Sequence, residues 1–436
     1  GQTYPVGSAY DAVGQLTQLT YPDGTLVARA YTPRGQLQQI TYAAQVIDTR
    51  SYDAGGRFTT DTYGNGITTT RTYRPDNLTA TVEAGCVLQA VHQAADDAGL
   101  LFPLSMASEG SCTIGGTLAA NAGGTQVLRY GNARALCLGL EVVTASGDVW
   151  HGLSGLRKDN TGYDLRDLFV GSEGTLGVVT AATLLLHPRP AATMTAMARC
   201  ATLAACVDLL GSAQHALGPG LTGFEAMNAF SLALVARHFP QLKQPWPPGP
   251  WTVLLELSDA EGQAHARERF EALLADALER GLIDDAAVAE SVAQSRAMWH
   301  LRESVPLAQA EEGLNIKHDI ALPVSRMAAF CESTGMALER AAPGMRLVNF
   351  GHLGDGNLHY NVQAPEGADA AAFLRDREHE INRIVYDAVA AHGGSISAEH
   401  GIGALKRDEM PRYKDATALS LMRAIKRALD PNGVMN

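Results

Sequence analysis

Charge is scarce in this chain, and none of it is gathered into runs. Asp, Glu, Lys and Arg make up 18% of 436 residues, the formal net charge is -12, and no stretch of Lys and Arg exceeds two. An acidic chain without a basic patch repels a phosphate backbone, so nucleic acid is excluded as the expected partner. Cysteine is also sparse. Cys86, Cys112, Cys137, Cys200, Cys206 and Cys331 form no CxxC pair and no framework spacing, which argues against a disulfide scaffold and for buried thiols in a reducing compartment. No apolar run approaches the ~20 residues that a membrane-spanning helix needs, and the N-terminus shows no basic-then-apolar leader pattern. The expectation is a chain with no transmembrane segment and a cytoplasmic location. Disorder is excluded by the 46% hydrophobic content, and a chain of this length should fold as two or three domains.

What is present first is a repeat. YDAVGQL from 10, YTPRGQL from 31, YDAGGRF from 52 and YRPDNL from 73 start 21 residues apart. Alternating Thr-, Tyr- and Val-rich stretches and the turns PDG and GNG lie between them, which predicts short strands joined by hairpins. The segment resembles the YD repeats of Rhs-type proteins. Residues 1–78 are therefore expected to be a β-hairpin repeat segment without chemistry of its own, with little core, because repeats bury surface only against neighbours.

Composition changes after about residue 79. Ala and Leu replace Tyr and Thr, and helical periodicity runs through 87–101. Three glycine-rich stretches follow, SCTIGGTLAANAGG at 111–124, RYGNA at 129–133 and GSEGTLGVVT at 171–180. Small residues let a backbone approach a ligand and offer unobstructed N–H groups to phosphate, although any one such stretch reads equally as a turn. Together with RKDNTGYDLRDLFVGSEGTLGVVT at 157–180, they resemble the FAD-binding domain of vanillyl-alcohol oxidase-type flavoproteins. The resemblance is to the branch of D-lactate and D-2-hydroxyglutarate dehydrogenases and the glycolate oxidase large subunit, and it extends over about 79–436.

That resemblance implies an α+β fold with an incomplete PCMH-type FAD-binding domain and a ferredoxin-like α+β substrate (cap) domain. The boundaries expected are 79–190 for the second half of the FAD-binding domain, 191–395 for the cap, and 396–436 for a segment returning to the FAD domain. It implies FAD as cofactor. Ser111, Ile114, Gly115, Gly116, Asn121, Ala122, Gly123, Gly124, Tyr130 and Gly131 would lie along the flavin and pyrophosphate. Gly171, Glu173, Gly174 and Val179 would reach the adenine side. The family's earlier PxGGGTG loop, which should precede a segment such as VEAG at 82–85, is replaced by YD repeat. Gly55-Gly56 and Gly64-Asn65-Gly66 sit at repeat turn positions and match nothing in that loop.

From 191 onward strand-like stretches (TMTAMARC, WTVLLELSD, IKHDIALPV, MRLVNF, LHYNV) alternate with amphipathic helices at 201–217, 261–280 and 368–391. QPWPPGP at 244–250 reads as a stiff surface loop. Two motifs stand out, GHLGDGNLH at 351–359 and SAEHGIG at 397–403. A catalytic divalent-metal site takes three N/O ligands and keeps one position open. His352, His359 and Glu399 supply such a set, and strand alternation puts Asn361 on the face of His359. The spacing alone is equally that of isolated histidines.

The resemblance adds roles to these residues. It implies zinc on His352, His359 and Glu399, substrate contact by Asn361, and His400 as the base. Arg302 in WHLRES and Lys317 in GLNIKHDIALPV would grip a substrate carboxylate. Taken alone, each cation is a surface charge. Lys317 lies in an otherwise apolar strand, with His318 and Asp319 beside it as partners for an internal ion pair. The activity implied is FAD-dependent oxidation of a D-2-hydroxy acid, of the D-lactate, D-2-hydroxyglutarate or glycolate kind, to the 2-oxo acid. The substrate is then a small 2-hydroxy acid; the electron acceptor stays open, as does a homodimer. The alternative is a chimeric or relic protein in which YD repeats stand where the pyrophosphate loop should be, with weak flavin binding and no turnover.

Overall fold

Two antiparallel sheets carry the chain. The computed structural model describes residues 6–52, 58–65, 68–74 and 78–435. Its first sheet begins with seven hairpin strands, Gly7–Tyr10, Leu16–Thr20, Leu26–Tyr31, Leu37–Tyr42, Gln45–Tyr52, Phe58–Tyr63 and Thr68–Arg74, each paired with the next. The seventh pairs with Thr79–Glu83, which in turn lies against Gly177–Leu185, then Cys137–Thr144 and Val149–Gly152. The repeat segment thus continues the sheet of the next domain edge to edge.

The 21-residue period is legible in the atoms. Gly14 and Gly35 turn the chain at φ of 85° and 81°, a region that costs any residue with a Cβ. The hydroxyls of Tyr31 and Tyr52 donate to the carbonyls of Leu16 and Leu37 at 2.9 and 2.6 Å. Gly64 occupies a turn where a Cβ would lie 2.7 Å from the Val46 carbonyl, so close backbone approach accounts for that glycine. Gly55, Gly56 and Gly66 fall outside the described residues. Among the described residues before Thr79, only Asp48 is buried. The first five repeat strands therefore contribute backbone pairing and almost no core.

The core begins at Thr79. Ala80 and Val82 face inward with Leu140, Val142, Ala182 and Leu184, and the helices Leu88–Asp97 and Ile114–Ala120 cover them through Leu88, Val91, Ile114 and Leu118. The periodic stretch at 87–101 stops being helical at Asp97 because Gly99 takes φ of 70°; Leu100–Leu101 then pairs with His187–Pro188.

The second sheet orders Asp285–Val288, Ala192–Cys200, Trp251–Asp259, Leu221–Asn228, Arg346–Gly351, Asn357–Gln363 and Asn315–Ile316, with Asp319–Ala321 also pairing to Asn357–Gln363. Strand alternation splits its apolar residues between two helical layers. Val253, Leu255 and Leu257 pack with helices Leu203–Leu217, Gln263–Glu279, Met327–Ala341 and Ala370–Ala391. Leu254, Met227, Val348 and Phe350 pack with Ala229–His238, Val292–Glu303 and Val305–Glu312. IKHDIALPV is not one strand, as its pattern suggests. It breaks at Lys317–His318, because the His318 N–H goes to Asn361 Oδ1 (2.9 Å) and its Nδ1 meets the Tyr360 carbonyl (2.8 Å). Lys317 consequently sits exposed at the break rather than inside a strand.

Candidate active site

The glycine-rich bend at 351–356 is dictated by crowding. Gly351 has φ of 152° and a Cβ there would lie 2.7 Å from the Asn357 carbonyl; Gly356 has φ of 93° and faces the Leu322 carbonyl equally tightly. With both ends reversed, the His352 and His359 rings stand 5.8 Å apart. Their nitrogens and a Glu399 carboxylate oxygen all fall within 4.8 Å of one another, which is donor chemistry and spacing that fit a divalent ion such as zinc.

Behind His352 stands a carboxylate that sequence reasoning missed. Glu225, 1% exposed on strand Leu221–Asn228, contacts His352 Nδ1 with Oε1 and accepts from Arg302 Nε with Oε2, each at 2.7 Å. A carboxylate only accepts, so Nδ1 carries the hydrogen and Nε2 is left toward Glu399 Oε2, 3.8 Å away. Burial opposes ionisation of Glu225, but His352 and Arg302 overcome it and hold the carboxyl at about 2. Burial would also depress His352, yet the same carboxylate draws it up to about 9, so a metal ion takes Nε2 only by displacing the proton it carries near neutral pH. Burial, with the Arg302 and His352 charges next in weight, pushes His359 down to about 3 and keeps that imidazole neutral. Arg302 lies over the Phe350 ring at 5.0 Å, and its Nη atoms have no protein hydrogen bond among the described residues.

Asp319 organises the other side. Its Oδ2 accepts the backbone N–H groups of Glu399 (2.8 Å) and His400 (3.0 Å), and its Oδ1 accepts from Asn357 Nδ2 (2.8 Å). Its ionic neighbours are His359 and His400, not Lys317. His400 leaves 67% of its side chain exposed, and its ring stacks toward that of His359 at 6.3 Å. Asn361 shares the His359 face of strand Asn357–Gln363. Its Oδ1 accepts from His318 N and its Nδ2 donates to Gln309 Oε1 at 3.0 Å.

The glycine-rich segments divide by what their neighbours require. Gly115, Gly116, Gly174 and Val179 line a cleft of about 340 Å³ with Gly85, Thr113 and Ser172. Several others serve packing. Ile114 is buried, and Asn121 ends its helix in the left-handed region at φ of 50°. Ala122 lies within backbone hydrogen bonds to Thr117 and Ala133. Gly124 and Gly131 each have positive φ and abut Ser105 and Ala135. Gly171 donates to the Leu118 carbonyl. Ser111 is exposed, and the Tyr130 ring meets that of His187 at a tilt, with centroids 4.7 Å apart. Gly123 and Glu173 face the SAEHGIG segment instead. A Cβ at 123 would overlap the Glu399 carboxylate, and Glu173 accepts from the N–H groups of Ile402 (2.8 Å) and Gly403 (2.7 Å). Lys426 on helix Ala416–Leu429 further ties this C-terminal stretch to the Thr175 carbonyl at 2.8 Å. Gly123→Ala is therefore expected to displace Glu399 and weaken metal retention about tenfold or more, as outer-shell changes do, with a melting temperature close to that of the parent. Unchanged zinc retention would show that the glycine is irrelevant to the donor set.

Residues 189–436 match the family of FAD-linked oxidases through its C-terminal domain. The chain belongs to that family. A FAD-binding domain is matched over 63–152 and an RHS repeat over 10–47. D-2-hydroxyglutarate dehydrogenase, mitochondrial, of Bos taurus is 40% identical over 355 residues, 81% of this chain and 63% of the relative. The D-2-hydroxyglutarate dehydrogenase of Xanthomonas citri pv. viticola is 37% identical, covering 82% and 74%. The chain thus spans under two thirds of the length of the first of these relatives. Among solved structures, p-cresol methylhydroxylase superposes with a TM-score of 0.63 at 16% identity, over 83% of this chain and 75% of that one. Alkyldihydroxyacetonephosphate synthase gives 0.59 at 15%, over 84% and 65%. These likenesses establish the α+β fold of a PCMH-type FAD oxidase, with the hairpin repeats leading into it.

Proposed function

We propose that this site oxidises a D-2-hydroxy acid to the 2-oxo acid. The observation that carries the reading is the convergence of His352, His359 and Glu399 beside an exposed imidazole, His400, and a guanidinium, Arg302, whose Nη atoms have no hydrogen-bond partner among the described residues. Zinc, held by the two histidines and Glu399, supplies Lewis acidity that lowers the pKa of a bound hydroxyl. FAD, against the wall formed by Gly115, Gly116, Gly174 and Val179, supplies the two-electron acceptor.

The chain's own groups have distinct tasks in this reading. Arg302 binds the carboxylate through its Nη atoms while Glu225 fixes its Nε. Lys317, exposed at the strand break, is the second cation that this reading assigns to the same anion. Asp319 holds the His400 backbone N–H at 3.0 Å and lies 3.6 Å from its Nδ1, which leaves Nε2 as the nitrogen turned away from that carboxylate and the one this reading assigns to the hydroxyl proton. Asn361, braced by His318 and Gln309, retains one N–H for the substrate.

The test uses linkage. A ligand that binds only the folded chain raises its melting temperature. D-2-hydroxyglutarate should protect the protein, while its dimethyl ester should not. Equal protection by acid and ester would remove Arg302 and Lys317 from the carboxylate site.

A further inference from the structure

Among the described residues, Glu225 is the fully buried acid that touches both His352 and Arg302, and it sits on strand Leu221–Asn228 between the buried apolar side chains of Phe224 and Ala226. An unpaired carboxylate there would be very costly. It is paired twice, through opposite oxygens, with His352 Nδ1 and Arg302 Nε at 2.7 Å each. The two partners come from the bend after Arg346–Gly351 and from the end of helix Val292–Glu303, and besides the Arg302–Phe350 ring contact at 5.0 Å it is the acid that ties them together.

We infer that Glu225 is a positioning residue that sets the spacing between the metal donors and the carboxylate clamp, and so selects acids whose hydroxyl and carboxylate are on adjacent carbons. The inference rests on the proposed metal and carboxylate roles of His352 and Arg302. One planar carboxylate directs His352 Nε2 toward Glu399 and the Arg302 Nη atoms away from itself. Both directions are fixed by the two oxygens of the same carboxylate. A hydroxyl and carboxylate held together in a 2-hydroxy acid then meet both fixed points, whereas a 3-hydroxy acid carries one carbon too many between them.

Glu225→Gln tests this on the full chain. The amide has a single acceptor oxygen, and its NH2 faces the N–H of whichever partner the oxygen does not take. Two readouts are needed: zinc retention in competition with a chelator, with no flavin or substrate added, and thermal protection by D-2-hydroxyglutarate compared with 3-hydroxyglutarate. The expected result is a tenfold to hundredfold loss of zinc affinity together with loss of the preference for the 2-hydroxy acid. Glu225→Asp keeps the charge and should recover a folded chain if the amide does not fold, with the same two losses in weaker form.

A folded Gln variant with parental zinc affinity and parental 2-hydroxy over 3-hydroxy preference overturns the inference. So does a lower melting temperature with both preferences intact, since that is what a purely structural acid would give. Failure of the parent itself to retain zinc or to be protected by the acid condemns the underlying site reading and this inference with it. Parental binding unaltered by the substitution condemns the inference alone.

Discussion

Glu399→Gln is expected to purify with little or no zinc, under conditions where the parent retains one ion per chain. Three protein donors converge here, and a site with three ligands rarely survives the loss of one. Changes outside the ligand shell already cost tenfold to a hundredfold, so removal of a ligand should exceed that. Glu399 is the cleanest of the three to change, because its side chain is 20% exposed and its backbone is held independently by Asp319. His352→Ala should lose the metal equally but also strips Glu225 of one of its two partners. Part of the 3–5 kcal/mol typical of breaking a buried ion pair would then appear as lost stability. Elemental analysis decides the matter: equal zinc in Glu399→Gln and the parent refutes the donor assignment, whatever happens to activity.

Much of this site was legible because its signals are local. A period of 21 residues identifies hairpins from sequence alone, and Gly14 and Gly35 occupy the turns that the period predicts. His352 and His359 announce themselves by a bend whose glycines have no alternative, given how closely the Asn357 and Leu322 carbonyls approach. What was not legible depends on partners distant in the chain. Glu225 reads as one charged residue in a largely apolar strand, and its meaning comes from His352 and Arg302, 127 and 77 residues away. Gly123 and Glu173 read naturally as part of a nucleotide cradle, but their contacts are with Glu399 and with Ile402 and Gly403. An apolar pattern likewise cannot reveal that a side-chain amide takes a ladder position, which is how Asn361 breaks the strand at Lys317. The acid in the apolar strand was the available clue to Glu225, since a buried charge without partners is not tolerated.

The flavin should show the largest departure from an intact member of the family. Strand Thr68–Arg74 takes the sheet edge beside Thr79–Glu83, the position from which the resemblance leads one to expect a glycine loop and its pyrophosphate donors. The wall that remains is the cleft of about 340 Å³ lined by Gly85, Thr113, Gly115, Gly116, Ser172, Gly174 and Val179. That volume lies at the low end for pockets that enclose even a drug-sized ligand. Val178 on its rim is 53% exposed, so apolar surface at the cleft meets water rather than protein. Hydrogen bonds to a charged group contribute about 1.5–3 kcal/mol each. The absence of two or three of them weakens binding by several powers of ten, at ~1.4 kcal/mol per tenfold. The protein is therefore expected to purify colourless while retaining zinc, to bind added FAD with an affinity far below stoichiometric occupancy, and to turn over little D-2-hydroxy acid. The visible spectrum of the purified chain and a fluorescence titration with FAD measure this directly. A yellow, stoichiometrically loaded protein would mean that the repeat segment itself presents backbone donors to the pyrophosphate, in place of the loop it has displaced.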